Sequence, residues 1–394
     1  MSPSSAAGRP GAVSVRSIAT AVPSPVLPQT RARELFAGQP GLSRLARRLI
    51  DSTFGASAIE RRHTVVAEFV ESAAGSAAAE FFSESGAILT PSTGHRNAVY
   101  EREVPPLLVR AAADAIRDAP GIQRSDITHV ITVSCTGFFA PGPDYVVVRE
   151  LGLAPRTRRL HIGFMGCYGA FPALRTAMAT CLSEPDAAVL IVCVELCTLH
   201  VRSSDDPDTI VASSVFADGA AAAVVSGRPA PPGSTVLEID AMETVLTDGG
   251  EHDMAWTIGD LGFEMVLSSY VPRILEEQLE TALRPLQDRL LPAGRASWPE
   301  VEQWAIHPGG RAILDRVQSA LGLTDEQLAP SREVLRDYGN MSSATVLFIL
   351  RGLLHGDPRD SADPPGVDAG RVAAMAFGPG LTVESALLTR RVIA

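Results

Sequence analysis

Three polar residues set in apolar surroundings form a combination that can do chemistry. Cys167 lies in HIGFMGCYGAFPALRTAMA, where a short strand meets Gly166 and the chain turns into an apolar helix. A small residue permits the sharp turn and the thiol lands at a helix N-terminus. There the dipole and free N–H groups favour thiolate, lowering the thiol from its ordinary value of about 8.5. The plainer reading is a core cysteine, since free Cys is among the most buried residue types. His307 follows a short apolar strand in WAIHPGGRAIL, and Pro308-Gly309-Gly310 lets backbone approach whatever the His faces. A lone His after a strand is often structural, but a Cys activated by a His is a standard route to acyl transfer. Asn340, in YGNMSSATVLFIL, either caps the next helix or offers an amide N–H to a developing oxyanion or enolate without proton transfer.

Elements that hold such a set are visible as strands alternating with helices, which indicates an α/β architecture with mixed sheets. Ile127–Ser134, Leu160–Phe164, Ala188–Leu196 and Ala220–Ser226 read as strands, and Val109–Ala119 and Phe171–Leu182 as helices. A basic helical stretch spans Arg31–Arg48, and a polar segment, Ala73–Asn97, crosses the surface. A second half begins near Leu237, with a helix through Tyr270–Leu283, a Pro-rich break at Leu291–Pro299 and the short strand Trp304–Ile306. Helices follow from Arg311 and over Ser342–His355, then a polar loop, Gly356–Gly370. Arg371–Phe377 and Leu381–Val392 pair as a hairpin around Gly378-Pro379-Gly380. Element order therefore predicts two pseudo-duplicated halves, residues 13–236 carrying Cys167 and residues 237–394 carrying His307 and Asn340.

Composition narrows the chemistry further. All 34 basic residues are Arg and none is Lys, against 45 acids, a net charge of −11. Schiff-base and pyridoxal chemistry need a Lys amine, and a P-loop needs its Gly-Lys-Ser/Thr corner, so both are excluded. Phosphate must be met by Arg, backbone N–H groups or a helix N-terminus. The acidic balance argues against nucleic acid or anionic membrane as partner. No long uninterrupted apolar stretch and no signal-like start is present, so a cytoplasmic protein is expected, with its five cysteines reduced.

Taken together, MGCYGAFPALR, VFADGAAAAVVSG, WAIHPGGRAIL, LRDYGNMSSATVLFIL and AFGPGLTVE resemble type III polyketide synthases, the chalcone-synthase-like enzymes, from about Val13 to the C-terminus. GNMSSA and GPGLTVE are more specific than a Cys-His-Asn set, which part of the thiolase superfamily shares. The resemblance implies a thiolase fold, five-layered α/β/α/β/α, in a homodimer. Cys167 would take an acyl group from an acyl-CoA starter. His307 and Asn340 would hold the malonyl-CoA thioester oxygen during decarboxylation, and the enolate would attack the acyl-Cys, with no metal or redox cofactor. Repeated rounds would end in cyclisation to a pyrone or resorcinol-type ring. The two gatekeeper Phe positions match Phe216 and, counting back from Val271-Pro272, Met265, with Phe263 on the same face if this segment is a strand.

Several positions depart from the plant pattern. Ser134, Cys135 and Thr136 stand where the plant enzymes have Thr-Thr-Ser, and the small Ala140 is the residue that would reach across the dimer. His200 replaces a cavity Thr, Trp256 replaces the cavity glycine, and Ser342 lies in GNMSSA. The string around Trp256 is similar to bacterial alkylpyrone and alkylresorcinol synthases, which take aliphatic starters. Ala140 and Cys135 would leave room for an alkyl tunnel, while Trp256 and His200 would narrow the cavity, with Thr136 among the cavity positions. For CoA, Arg47, Arg48 and Arg61 are candidates, with backbone from Gly309 to Ala312 along the pantetheine, and Glu60 sits in a usually basic position. Cys193, Cys197 and His200 could form a metal site, but no fourth ligand is at a suitable spacing, so core and cavity lining is the preferred reading. The alternative activity is an initiating ketoacyl synthase, which performs one condensation with a carrier protein. A thiolase is disfavoured because no cysteine follows Cys197.

Overall fold

The computed structural model describes residues 12–70, 79–268, 270–290, 298, 301–355 and 368–394. Its strands are β1 (Ser14–Ala21), β2 (Val26–Pro28), β3 (Arg61–His63), β4 (His129–Ser134), β5 (Arg158–Gly163), β6 (Ala188–Leu196), β7 (Asp218–Ser226), β8 (Thr235–Leu246), β9 (Met254–Gly259), β10 (Gly262–Leu267), β11 (Gln303–Ile306), β12 (Asp368–Gly378) and β13 (Thr382–Val392). Its helices are α1 (Gln29–Ala37), α2 (Arg44–Ala56), α3 (Thr93–Arg117), α4 (Pro143–Glu150), α5 (Ala170–Ser183), α6 (Pro207–Val215), α7 (Val271–Leu290), α8 (Arg311–Leu321), α9 (Asp325–Tyr338) and α10 (Thr345–His355). None among the described residues is long and apolar enough to cross a membrane.

Nine strands join in the order β11-β12-β13-β8-β1-β7-β6-β4-β5, with β9-β10 and β2-β3 as separate pairs. The seam is short, Ser14 opposite Glu238 and Val15 opposite Leu237. On either side of it one pattern repeats. β1 runs antiparallel to β7, β7 antiparallel to β6, and β6 parallel to β4. β8 likewise runs antiparallel to β13, β13 antiparallel to β12, and β12 parallel to β11.

Two-residue alternation on strands buried on both faces creates the layers. Val189, Ile191 and Cys193 of β6 enter one core, and Ala188, Leu190, Val192 and Val194 enter another. On β12, Val372, Ala374 and Ala376 reach the first core, whereas Ala373, Met375 and Phe377 reach a third. That first, shared core contains Phe171 and Leu174 of α5 with Val346, Leu347 and Leu350 of α10, so these two helices lie between the sheet halves. Residues of α1, α2 and α3 close the second core, and those of α7 and α8 the third. The result is the five-layered α/β/α/β/α arrangement that the resemblance implies. Each fully buried Leu, Ile or Phe contributes roughly 1.5–3 kcal/mol of transfer free energy to this stack.

Several elements differ from expectation. The basic stretch Arg31–Arg48 is two helices, because Pro40 and Gly41, at φ +79°, interrupt it and Ser43 caps α2 by accepting from the Ala46 N–H at 3.1 Å. The helix expected over Val109–Ala119 starts at Thr93, inside the segment expected to be a surface crossing, and runs through Pro105 and Pro106. Interior prolines cost about 3 kcal/mol or more. Burial of Val99, Tyr100, Val104, Leu107, Leu108 and Ala111 offsets that. Helix α9 was not anticipated, although its Thr324/Gln327 capping box is legible in the sequence. Residues 73–78 of the Ala73–Asn97 segment, most of the Pro-rich break and residues 356–367 of the polar loop lie outside the described residues. The terminal hairpin is present as β12 and β13, antiparallel from Gly378 opposite Thr382.

Candidate active site

Cys167 is placed by a tight corner between β5 and α5. Phe164 at φ +57° and Gly166 at φ +65° turn the chain, and Gly166–Tyr168 forms a 3₁₀ turn ahead of α5. A Cβ on Gly166 would stand 2.6 Å from Cδ of Pro379, so glycine serves both the backbone angle and the approach of the β12–β13 turn. Gly166→Ala is expected to lose about 1–3 kcal/mol of stability from the strained angle alone. The accompanying shift of Cys167 should slow its alkylation, and a thermal melt with a timed iodoacetamide assay checks both.

His307 follows β11, its N–H donating to the Met375 carbonyl at 2.8 Å while its own carbonyl accepts from Gly309 N–H at 3.0 Å. The side chain is buried, and neither ring nitrogen has a partner among the described residues. Buried polar atoms are ordinarily bonded, so an unpartnered ring that lines the cavity is available to a substrate. Asn340 sits in a strand-like bridge with Phe216: its N–H donates to Val215 O at 2.9 Å and its carbonyl accepts from Ala217 N–H at 2.8 Å. Its Oδ1 accepts from the Ser342 N–H at 2.8 Å, which leaves Nδ2 on the side of Gly309 O, 3.4 Å away. That bond begins a turn in which Ser342 is held at φ +48°. Asn340 is therefore not a simple helix cap. The Cys167 Sγ lies 3.9 Å from both Oδ1 and Nδ2 of Asn340.

Burial governs the charges here. It pushes the Cys167 thiol up to about 11, against the lowering by hydrogen bonds from Ser342 and Asn340. It pulls His307 down to about 3. The thiolate expected at the helix N-terminus is thus not the form that this buried site favours with His307 neutral, because the desolvation penalty on a lone charge exceeds what the turn supplies.

A cavity unites the triad with Cys135, Thr136, Phe216, Trp256, Met265, Gly309 and Ser342. Met254, Leu267, Cys197, Ile313, Phe377, Pro379 and Gly166 complete its wall. The hairpin β9-β10 supplies Met254, Trp256, Met265 and Leu267, and the Trp256 indole N–H donates to Cys135 O at 2.7 Å. Phe263 shares the Met265 face of β10, as expected of a strand, but it and His200 line an adjoining pocket instead. His200 does not narrow the main cavity. Its Nε2 meets Thr136 O at 2.8 Å, its Nδ1 accepts from the Phe263 N–H at 3.0 Å, and its ring stacks on that of Phe263 at 4.2 Å. It is a clamp between the hairpin and the loop after β4.

The remaining expected residues lie outside the cavity lining. Ala140 is exposed before Pro141, and Ala312 is exposed on the first turn of α8. Arg47 donates to Ala37 O and Gln39 O, closing the end of α1, while Arg61 pairs with Asp337 at 3.1 Å. Arg48 is exposed on α2. Cys193 and Cys197 belong to different cores, and among the described residues no group of His, Cys, Asp or Glu is arranged to hold a metal.

One buried acid was missed by the sequence reading. Glu195 accepts from Ser343 Oγ at 2.5 Å, Cys135 N–H at 2.9 Å and Thr136 Oγ1 at 3.0 Å, and burial raises it to about 7. It ties the loop bearing Cys135 to the segment after Asn340. Its signal was plain enough: a single acid in the apolar strand AVLIVCVEL.

A duplicated, five-layered α/β chain with buried Cys, His and Asn facing one apolar cavity defines an acyltransferase of the thiolase-like class. Residues 3–229 match the family of chalcone and stilbene synthases, N-terminal domain, and residues 238–392 match its C-terminal domain. The chain belongs to this family, the type III polyketide synthases. A solved relative, PKS-I from the brown alga Ectocarpus siliculosus, is 29% identical with a TM-score of 0.87, covering 97% of this chain and 99% of its own. The type III polyketide synthase domain of Steely1 from Dictyostelium is 27% identical with a TM-score of 0.85, covering 97% and 100%. The 1,3,6,8-tetrahydroxynaphthalene synthase of Streptomyces coelicolor is 27% identical with a TM-score of 0.79, covering 96% and 99%.

Proposed function

We propose that the protein condenses malonyl-CoA repeatedly onto an aliphatic acyl group held on Cys167 and closes the product to a pyrone or resorcinol-type ring. The observation that carries this reading is one apolar cavity holding the thiol, the unpartnered His307 ring and the Asn340 amide. His307 takes the Cys167 proton as the thiol attacks the starter thioester, and CoA leaves. Malonyl-CoA then binds with its thioester oxygen toward His307 and Asn340 Nδ2. The C–C bond to the carboxylate breaks, CO₂ departs, and the electron pair moves to an enolate oxygen stabilised by those donors. The enolate carbon attacks the acyl carbonyl, the thiolate of Cys167 leaves, and the lengthened chain returns to it. Thiol, imidazole and amide suffice for these steps, so no metal or redox cofactor is needed.

Phe216 and Met265 stand as gate side chains that keep water from the enolate. With Arg47 and Arg61 engaged elsewhere, CoA phosphates fall to Arg48, with Gly309 and Ala312 at the start of α8 along the pantetheine. A homodimer fits the open edge of the sheet at β5, where Leu160 and the neighbouring Phe138 are exposed.

An acyl-CoA panel with labelled malonyl-CoA and mass spectrometry of the products tests the reading. Ring products carrying two or more acetate units support it; a single added unit instead indicates the one-step ketoacyl synthase. Trp256→Ala removes an indole from the cavity wall, so its products should gain at least one acetate unit or come from longer starters. An unchanged product mass distribution would show that Trp256 does not limit chain growth.

A further inference from the structure

Arg62 lies in the string Ile59-Glu60-Arg61-Arg62-His63, where phosphate contacts were expected, yet it faces inward. It is 2% exposed, on β3, with its guanidinium 5.7 Å over the ring of Phe54. Nη1 donates to Ser213 O and to Phe216 O, each at 2.8 Å, whereas Nε and Nη2 are buried with no partner among the described residues. The nearby buried Asp218 helps it keep its charge. Burying a cation with two nitrogens unbonded is destabilising, so packing alone does not explain an arginine here.

What the side chain touches does. Phe216 supplies the gate ring and is bridged to Asn340. Gly339, at φ +71°, approaches so closely that a Cβ would stand 2.9 Å from Arg62 Cγ and 3.0 Å from Val215 O. The guanidinium stem thus lies beneath the corner that presents Asn340, and its head grips the carbonyl of Phe216. We infer that Arg62 is a positioning residue that sets the gate ring and the amide donor together through the Phe216–Asn340 bridge. The inference rests on the proposed function for its catalytic consequence and on geometry alone for the link itself.

Arg62→Met and Arg62→Lys test it with two independent readouts. In Arg62→Met, kcat for malonyl-CoA decarboxylation should fall by about ten- to a hundredfold, the scale of a misplaced catalytic group. KM and the alkylation rate of Cys167 should stay within about threefold, and Lys should recover part of the loss, since an ammonium can still reach one carbonyl. In hydrogen exchange, the Asn340 and Ala217 amides should lose about tenfold protection while those of β6 hold. Decarboxylation and bridge protection that match the parent protein would overturn the inference, and so would a uniform decline of every rate and every amide. Should the Met variant not fold, the Lys variant is read by the same criteria. If the parent protein shows no decarboxylation, hydrogen exchange still decides the structural link, which separates failure of this inference from failure of the proposed function.

Discussion

Cys167→Ala is expected to yield no condensed product from any acyl-CoA, a loss on the order of 10⁴-fold or more, as when the nucleophile of a linked catalytic set is removed. Malonyl-CoA decarboxylation should persist at a reduced rate, because His307 and Asn340 still face the cavity. The contrast matters more than the loss itself. A fold that merely depended on the buried thiol would lose both activities together, whereas a divided site loses the acyl acceptor and keeps the enolate donors. Counting labelled CO₂ released against ring product formed separates the two outcomes.

Replacing His307 should have the second largest effect, and it should appear in two places. Decarboxylation should fall by about 10²–10³-fold, the usual consequence of removing one oxyanion donor, and Asn340→Ala should behave similarly without the two losses adding. The thiol should respond as well. Burial raises Cys167 to about 11 with His307 neutral, and it disfavours imidazolium even more. Each charge alone is penalised, but a proton passed from Cys167 to His307 creates opposite charges that stabilise one another at low dielectric. Thiolate fraction rises with pH, so in the parent protein the alkylation rate should rise at a pH below the burial-set value. In His307→Ala no partner remains, and the midpoint should move to alkaline pH, toward about 11. Coincident iodoacetamide profiles for the two proteins would refute the pairing.

Much of this site was legible because its residues stand at element boundaries that leave marks in sequence. Gly166 before Cys167, Pro308-Gly309-Gly310 after His307 and Gly339 before Asn340 all sit where a strand or helix ends. The run of β6, apolar but for Glu195, announced a strand buried on both faces, and it occupies the bounds expected, Ala188–Leu196. What stayed hidden depended on contacts between distant segments. No local feature says that His200 would spend both ring nitrogens on Thr136 and Phe263, or that Arg47 would close α1. Pro105 and Pro106 concealed the first half of α3, since a tertiary apolar face overrode a strong local signal. The thiol was misjudged for a related reason. A helix N-terminus can be read from sequence, but the desolvation that outweighs it depends on how deeply the corner is packed.

The central claim is that Cys167 carries the growing chain. Intact-protein mass spectrometry after mixing with a long-chain acyl-CoA, followed by peptide mapping, tests it most directly. One acyl group should appear on the peptide containing Cys167 and disappear when malonyl-CoA is added, with the ring product appearing in step. An acyl group on Cys135 or Cys197 instead, or no acylated protein under conditions that yield product, would contradict it.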